Sequence, residues 1–323
     1  MLEIRLNVLK DVVDRFVLVE ATRTFTNHGK ELVYQKNKYR FENFEDRIIH
    51  IVVDDFPEYK TPWHYESHQR NAILQGLKDA KPDDVIIIGD VDELPSPEMV
   101  TKYAGRSGIT AFRQRYYSYY LNYLNVRQQH WYGSKMLSYH DFRHVFDGIK
   151  TINNEIMPQE VNEGTTPSKV RMRTPPFYRA WTRHVRNGGW HFTNLGGAEN
   201  LLLKMKSFSH QEYNPGDDKI DVAKLSDMIA SGSGPFWKMQ CFAVPIDSSF
   251  PRYIHNNPDR FSSLLFPVTE EYVRAHRMSK LIATMRGYLI CACEMIVPSV
   301  LHNFLHLCKV KLRTNRFYRE GCS

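Results

Sequence analysis

The sequence predicts an α/β fold, a mostly parallel sheet flanked by helices with a helical tail at the C-terminal end. Two observations carry that expectation. Short apolar runs, FVLVEA (16–21), RIIHIVV (47–53) and VIII (85–88), end at or just before carboxylates, and they are too short to be helices. Segments with helical spacing separate them: residues 2–13 before the first, 31–41 after it, and HYESHQRNAILQGLKDA (64–80) before the third. Strands alternating with helices imply parallel crossovers, and open sheets of that kind bind ligands at the carboxyl ends of their strands. Glu20, Asp54, Asp55, Asp90 and Asp92 all fall at such ends.

Beyond residue 108 the texture becomes aromatic. ITAFRQRYYSYYLNY and WYGSKMLSY read as long strands extending the sheet, and polar residues 150–176 read as a loop. GGWHFTNLGG (188–197) marks tight backbone geometry before the helix AENLLLKMKSF, and the body closes near FPRYIHNNPDRFSSLL (250–265). The expected division is a catalytic body over 1–268 and a basic helical tail over 269–323. In the tail, Arg286, Glu294 and Pro298 interrupt the apolar run, which favours an interfacial helix with peripheral membrane contact over a spanning one.

The chain of 323 residues is 42% hydrophobic, enough for a sizeable core, and its net charge of +7 favours anionic partners such as phosphorylated metabolites or an acidic membrane surface. Only Cys241 lies in the body. Cys291, Cys293, Cys308 and Cys322 crowd the tail, a spacing that fits neither a disulfide framework nor a zinc motif. The start reads as neither secretory signal nor anchor, and no Asn-X-Ser/Thr site occurs. A cytoplasmic setting is therefore expected rather than a Golgi lumen.

The chemistry centres on Asp90-Val91-Asp92. In an extended Asp-X-Asp both carboxylates point the same way and can hold Mg²⁺ or Mn²⁺ against substrate phosphates. Arg70 and Asn71 on the preceding helix can clamp phosphate or pair with Asp54 or Asp90, and Glu20 and Asp54 can meet the donor or cap the following turn. Trp190 and His191 offer a flat face and a polar tip to a sugar ring. The segment FRQRYYSYYLNY suits single-stranded nucleic acid or a glycan groove, and the groove is preferred, with no nucleic acid partner expected.

Taken in order, LEIRLNVLKDVVDRFVLVEATRTFT, HIVVDDFP, HQRNAILQGL, VIIIGDVDELPSPE, GWHFTNLGGAENLLLKMKSFSHQEYN and PRYIHNNPDRFSSLL resemble glycosyltransferase family 17 over residues 2–265. The resemblance implies a GT-A-like fold, here lacking the strand that family members carry before the helix at Leu2. It also implies UDP-N-acetylglucosamine as donor, a glycan acceptor, a divalent metal, inversion and a β-1,4 linkage. By the same resemblance Asp90 and Asp92 carry the metal and nucleotide-sugar signature, and His210 is a candidate further metal ligand. Inverting transfer needs a base apart from the metal pair, with Glu199 the first candidate and Glu212 and Asp217 behind it. The rivals are a transferase using another sugar nucleotide and an inactive carbohydrate-binding protein on the same scaffold.

Overall fold

The structure is a computed structural model that describes residues 1–144, 167–172, 182–214, 216, 221–236, 239–286 and 288. Helix α1 (Leu2–Leu9) buries Ile4, Leu6, Val8 and Leu9. Strand β1 (Phe16–Ala21), helix α2 (Val33–Lys36) and strand β2 (Ile48–Val53) follow. Helix α3 (Pro62–Asn71) begins on a proline, which suits a first turn whose amides have no helical acceptor, and runs into a 3-10 segment, Ala72–Leu77. Next come strands β3 (Val85–Ile88) and β4 (Glu93–Pro95), helix α4 (Pro97–Tyr103) and strands β5 (Ile109–Ser118), β6 (Tyr123–Asn125), β7 (His130–Trp131) and β8 (Lys135–Ser138). Helices α5 (Tyr139–His144) and α6 (Pro167–Met172) precede the long strand β9 (Thr182–Thr193). Helices α7 (Gly197–Ser207) and α8 (Val222–Ala230), strand β10 (Cys241–Ala243) and helix α9 (Arg252–His255) lead to a last helix over 270–286.

The mixed α/β class holds, and the first three strands stand where the apolar runs put them. β1 and β2 pair in parallel, Phe16 opposite Ile48 through Ala21 opposite Val53. The expectation of a mostly parallel sheet does not hold for the larger, eight-stranded sheet. Its path runs β10-β6-β5-β8-β3, with β7 on β5 and β9 joining β5 to β4. Only β5–β9 is parallel there; the other pairings are antiparallel. Helix–strand alternation, which dictates crossovers, stops near residue 108. After it, a connection as short as residues 119–122 between β5 and β6 can only return antiparallel.

The GGWHFT segment forms the end of β9 rather than a turn, and its glycines serve close strand approach. At Gly189, with φ +127°, a Cβ would sit 2.0 Å from the Leu94 carbonyl oxygen and 2.7 Å from the Ser96 nitrogen. Gly189→Ala is therefore expected to push β4 off β9 and cost about 2–4 kcal/mol, combining strain and overpacking. Urea unfolding would show it; a variant as stable as the parent would contradict the close approach.

The main core packs α1 against α9 and the big sheet through Ile4, Leu6, Leu94, Tyr117, Phe192, Phe250 and Ile254. Of the expected 150–176 loop, only 167–172 is described, and it is helical. The tail reading at 289–323 lies outside the described residues. Among the described residues no helix is long and apolar enough to cross a membrane.

Candidate active site

Residues 90–92 form a turn between β3 and β4, closed by the Glu93 amide donating to the Asp90 carbonyl at 3.0 Å. This corrects the extended Asp-X-Asp geometry: the two carboxylates take different partners. Asp90 Oδ1 accepts from Arg70 Nη2 at 2.9 Å, while Asp92 Oδ2 lies 3.4 Å from His191 Nε2. Glycine at position 89 lets the turn lie close to Ser134, whose Oγ would be 2.5 Å from an added Cβ.

A half-buried cation and a fully buried carboxylate hold the turn. Arg5 reaches from α1 and donates Nη1 to the carbonyls of Asp90, at 3.0 Å, and of Glu93. Burial lowers the Arg5 pKa, and the opposing attraction of Glu93, Asp90 and Asp92 offsets part of that. The Glu93 side chain, fully buried, accepts from the Asp90 amide at 3.0 Å, the Trp131 indole at 2.6 Å and the Ser134 hydroxyl at 3.4 Å. A carboxylate in so dry a place persists only when its oxygens are this well supplied with donors.

Asp92 is ringed by positive and aromatic groups. Burial opposes its charge, but His191 and Lys204 outweigh burial and hold its carboxyl below the usual range, with Asp90 pushing the other way. Lys204 comes from α7 and is fixed by donating to Thr193 Oγ1 at 2.8 Å. His191 stacks on both Tyr116 and Trp131, with ring centroids 5.0 and 4.9 Å away, and those two rings are themselves 5.9 Å apart, so the three form one aromatic cluster. It is 6% exposed, and its Nδ1 has no hydrogen-bond partner among the described residues.

Arg70 forks between Glu66, at 2.7 Å, and Asp90. Its own burial disfavours the charge, but those two carboxylates prevail and raise its pKa. Glu66 also accepts from Ser209 Oγ, so one guanidinium couples α3 to the turn and to the segment leading into His210. Asn71 Oδ1 accepts the Ser168 amide at 3.1 Å, a tie between α3 and α6.

The other predicted residues are dispersed. Glu20 accepts the amides of Tyr34 and Gln35 at 2.7 and 3.0 Å and lies 3.0 Å from His50 Nε2, so it caps α2, the structural alternative read from its position. Asp54 is exposed at the end of β2. Trp190 donates to the Ser249 carbonyl at 2.9 Å and packs on the main core, whereas His191 turns to the opposite side of β9 as strand alternation requires. His210 lies 2.6 Å from Glu212 and edge-on to Trp63. Glu199 is exposed in the first turn of α7, and Asp217 lies outside the described residues. Among the described residues no group of three or more His, Cys, Asp or Glu could hold a metal ion.

Arg5, Glu93, Trp131 and Lys204 were not legible as site residues. The signal for the first two was present: a lone cation in the apolar LEIRLNVL and a lone acid opening ELP, each a charge that must find a partner when its element is buried. Beside Trp131, burial and the charges of Arg113 and Arg115 push His130 down to about 4. Arg113 Nη2 stands 3.2 Å from its Nδ1, an arrangement in which the guanidinium donates a hydrogen bond to the neutral ring. Between pH 6.5 and 4 the unfolded chain binds a proton there that the folded chain does not, so stability falls as pH falls through this window. His130→Gln is expected to flatten that part of the dependence of Tm on pH; an unchanged profile would remove His130 as its source.

Residues 1–154, which contain Arg5, Arg70 and the whole Asp90–Glu93 turn, match the model of glycosyltransferase family 17. Over these residues the resemblance read from the motifs is borne out. The similar curated proteins are β-1,4-mannosyl-glycoprotein 4-β-N-acetylglucosaminyltransferases. The chain is 25% identical to that of Homo sapiens and 24% to those of Rattus norvegicus and Mus musculus, each over 82% of this chain and 52% of the relative. The chain thus spans about half the length of the curated relatives it matches. No solved structure matches it.

Proposed function

We propose that the protein is an N-acetylglucosaminyltransferase that moves the sugar from UDP-N-acetylglucosamine to a glycan hydroxyl, with inversion and a β-1,4 linkage, through the body formed by residues 1–268. The observation that carries this reading is the Asp90–Asp92 turn, clamped by Arg5 and Glu93 inside the segment that matches the family. The relatives' shared name supports the sugar and the linkage.

Asp90 and Asp92 suit a divalent cation that completes its shell with water and substrate phosphate, since Mg²⁺-type sites commonly use one or two carboxylates rather than a protein cage. Both carboxylates retain some solvent exposure, 44% and 21%, as ligands to an incoming substrate complex must. The chemistry a cation supplies when bound is neutralisation of charge on the leaving diphosphate. The chain's own residues do the rest. Arg70 orients Asp90, His191 and Lys204 keep Asp92 ionised, and Arg5 with Lys204 make the surroundings of the turn attractive to phosphate. Glu199, exposed at the start of α7, is the proposed base for the acceptor hydroxyl, and His210, edge-on to Trp63 of α3, is the proposed further metal ligand.

The test is transfer of N-acetylglucosamine from its UDP donor to mannose-terminated glycans, with Mn²⁺ and with chelator. Turnover that requires the metal and is lost with UDP-glucose supports the reading. A folded protein that neither turns over nor binds UDP-N-acetylglucosamine would refute it in favour of an inactive scaffold.

A further inference from the structure

The helix over 270–286 has two unlike faces. One packs on the body: Ala283 is 8% exposed against Val126 and Phe242, the Tyr272 hydroxyl accepts the Ala243 amide at 3.1 Å, and His276 lies edge-on to Phe242. The other carries Met278, Leu281, Ile282 and Met285, spaced i, i+3, i+4 and i+7, and these large apolar side chains are 63%, 51%, 46% and 57% exposed. Tyr288 follows at 60% exposure, its hydroxyl donating to Gln129 Oε1 at 3.3 Å. Isolated exposed apolar residues are ordinary, but four in a row along one side of a helix form an apolar surface left largely uncovered by the described residues.

Charge identifies what covers it. Glu270 and Glu271 open the helix and Glu270 pairs with Arg274 at 2.9 Å; beyond them, through 286, the charges are the cations Arg277, Lys280 and Arg286. Arg277 and Arg286 lie on either side of the apolar row at roughly 80–100° from Met278, given about 100° per residue, and Arg274 continues its line. Both are exposed. An apolar row bordered by arginines matches the acyl boundary and headgroups of an acidic membrane, in which the helix lies flat. A second copy of the same face would instead set arginines against arginines.

We propose that this helix docks the protein on the surface of an acidic phospholipid bilayer, with Met278, Leu281, Ile282 and Met285 inserted and Arg277 and Arg286 on the headgroups. The proposal is independent of the transfer reading and does not use its residues.

The full chain would be floated with vesicles of phosphatidylcholine alone and of phosphatidylcholine with phosphatidylserine. Flotation with the serine lipid but not the neutral one is expected. Leu281→Glu with Met285→Glu should lose at least about tenfold in partitioning, as expected when two inserted side chains become anionic. Arg277→Gln with Arg286→Gln should lose about fivefold per arginine, the equivalent of about 1 kcal/mol each. Circular dichroism and Tm would show that these exposed changes leave the fold intact. Unchanged flotation in both variants, or equal flotation with neutral vesicles, overturns the proposal. So does a wild-type dimer that the glutamate variant dissolves without any vesicle binding, which would assign the face to a second copy.

Discussion

Asp92→Ala is expected to lower kcat for sugar transfer by about 10²–10³-fold while leaving the protein folded. A loss of that size corresponds to about 3–4 kcal/mol of transition-state stabilisation, the scale on which a group that supports a developing charge acts. The fold should survive because the structural role of Asp92 lies in its backbone, whose carbonyl accepts the Phe192 amide at 2.9 Å and so joins β4 to β9. His191 loses its carboxylate partner but keeps its ring contacts with Tyr116 and Trp131. Asp92→Asn separates charge from shape. It retains the side-chain volume and should be almost as inactive as alanine, because the carboxylate that His191 and Lys204 keep ionised is gone. The same ionisation sets a pH expectation. A carboxyl held below the usual carboxylate range keeps its charge throughout the neutral range, so no loss of activity through this group is expected until the solution is more acidic than that range. An asparagine variant with parental kcat would remove Asp92 from the chemistry and leave the proposed site without its centre.

Glu93→Ala should be the most destabilising single change at the turn, by about 3–5 kcal/mol, the range for removing one side of a buried charged network. Its carboxylate is fully buried and accepts from three donors, and alanine would strand the Trp131 indole and the Asp90 amide without water to replace it. The guanidinium of Arg5 would lose the first of the three carboxylates that favour its charge. Urea unfolding measures the loss, and near-ultraviolet circular dichroism should change as Trp131 loosens. Glu93→Gln should fall between parent and alanine, since an amide keeps the shape and one acceptor but puts a second donor among donors. A loss below about 1 kcal/mol for the alanine variant would mean that the turn is held elsewhere.

The elements that could be read in advance are those whose signal is local. FVLVEA, IIHIVV and VIII are strands because continuous apolar runs of four to six residues between polar ends have few other solutions, and β1, β2 and β3 occupy them. Asp90 and Asp92 could be singled out because acidic residues directly after a buried strand must emerge at its end. The relation between them could not. An extended Asp-X-Asp and a turn have the same letters, and the choice falls to the Glu93 carboxylate and the Arg5 guanidinium, 85 and 88 positions apart in the contacts Arg5 makes. Glu20 went to α2 because two helix-start amides lie within its reach, and His191 joined the Tyr116 and Trp131 rings because β9 lies beside β5 and β7 lies on β5.

By itself, then, the sequence determined the α/β class, the position of the first three strands, the emergence of Asp90 and Asp92 at the end of the third and, through ordered motifs, the family resemblance. Each is encoded in neighbouring residues, whose periodicity and side-chain chemistry act before any long-range contact forms. Only the tertiary structure decided that the larger sheet is mainly antiparallel, that Arg70 couples Asp90 to Glu66, and that Asp92 answers to His191 and Lys204. Strand partners and buried charge pairs are chosen by which surfaces exclude water together, and that competition among distant segments leaves no periodic trace along the chain.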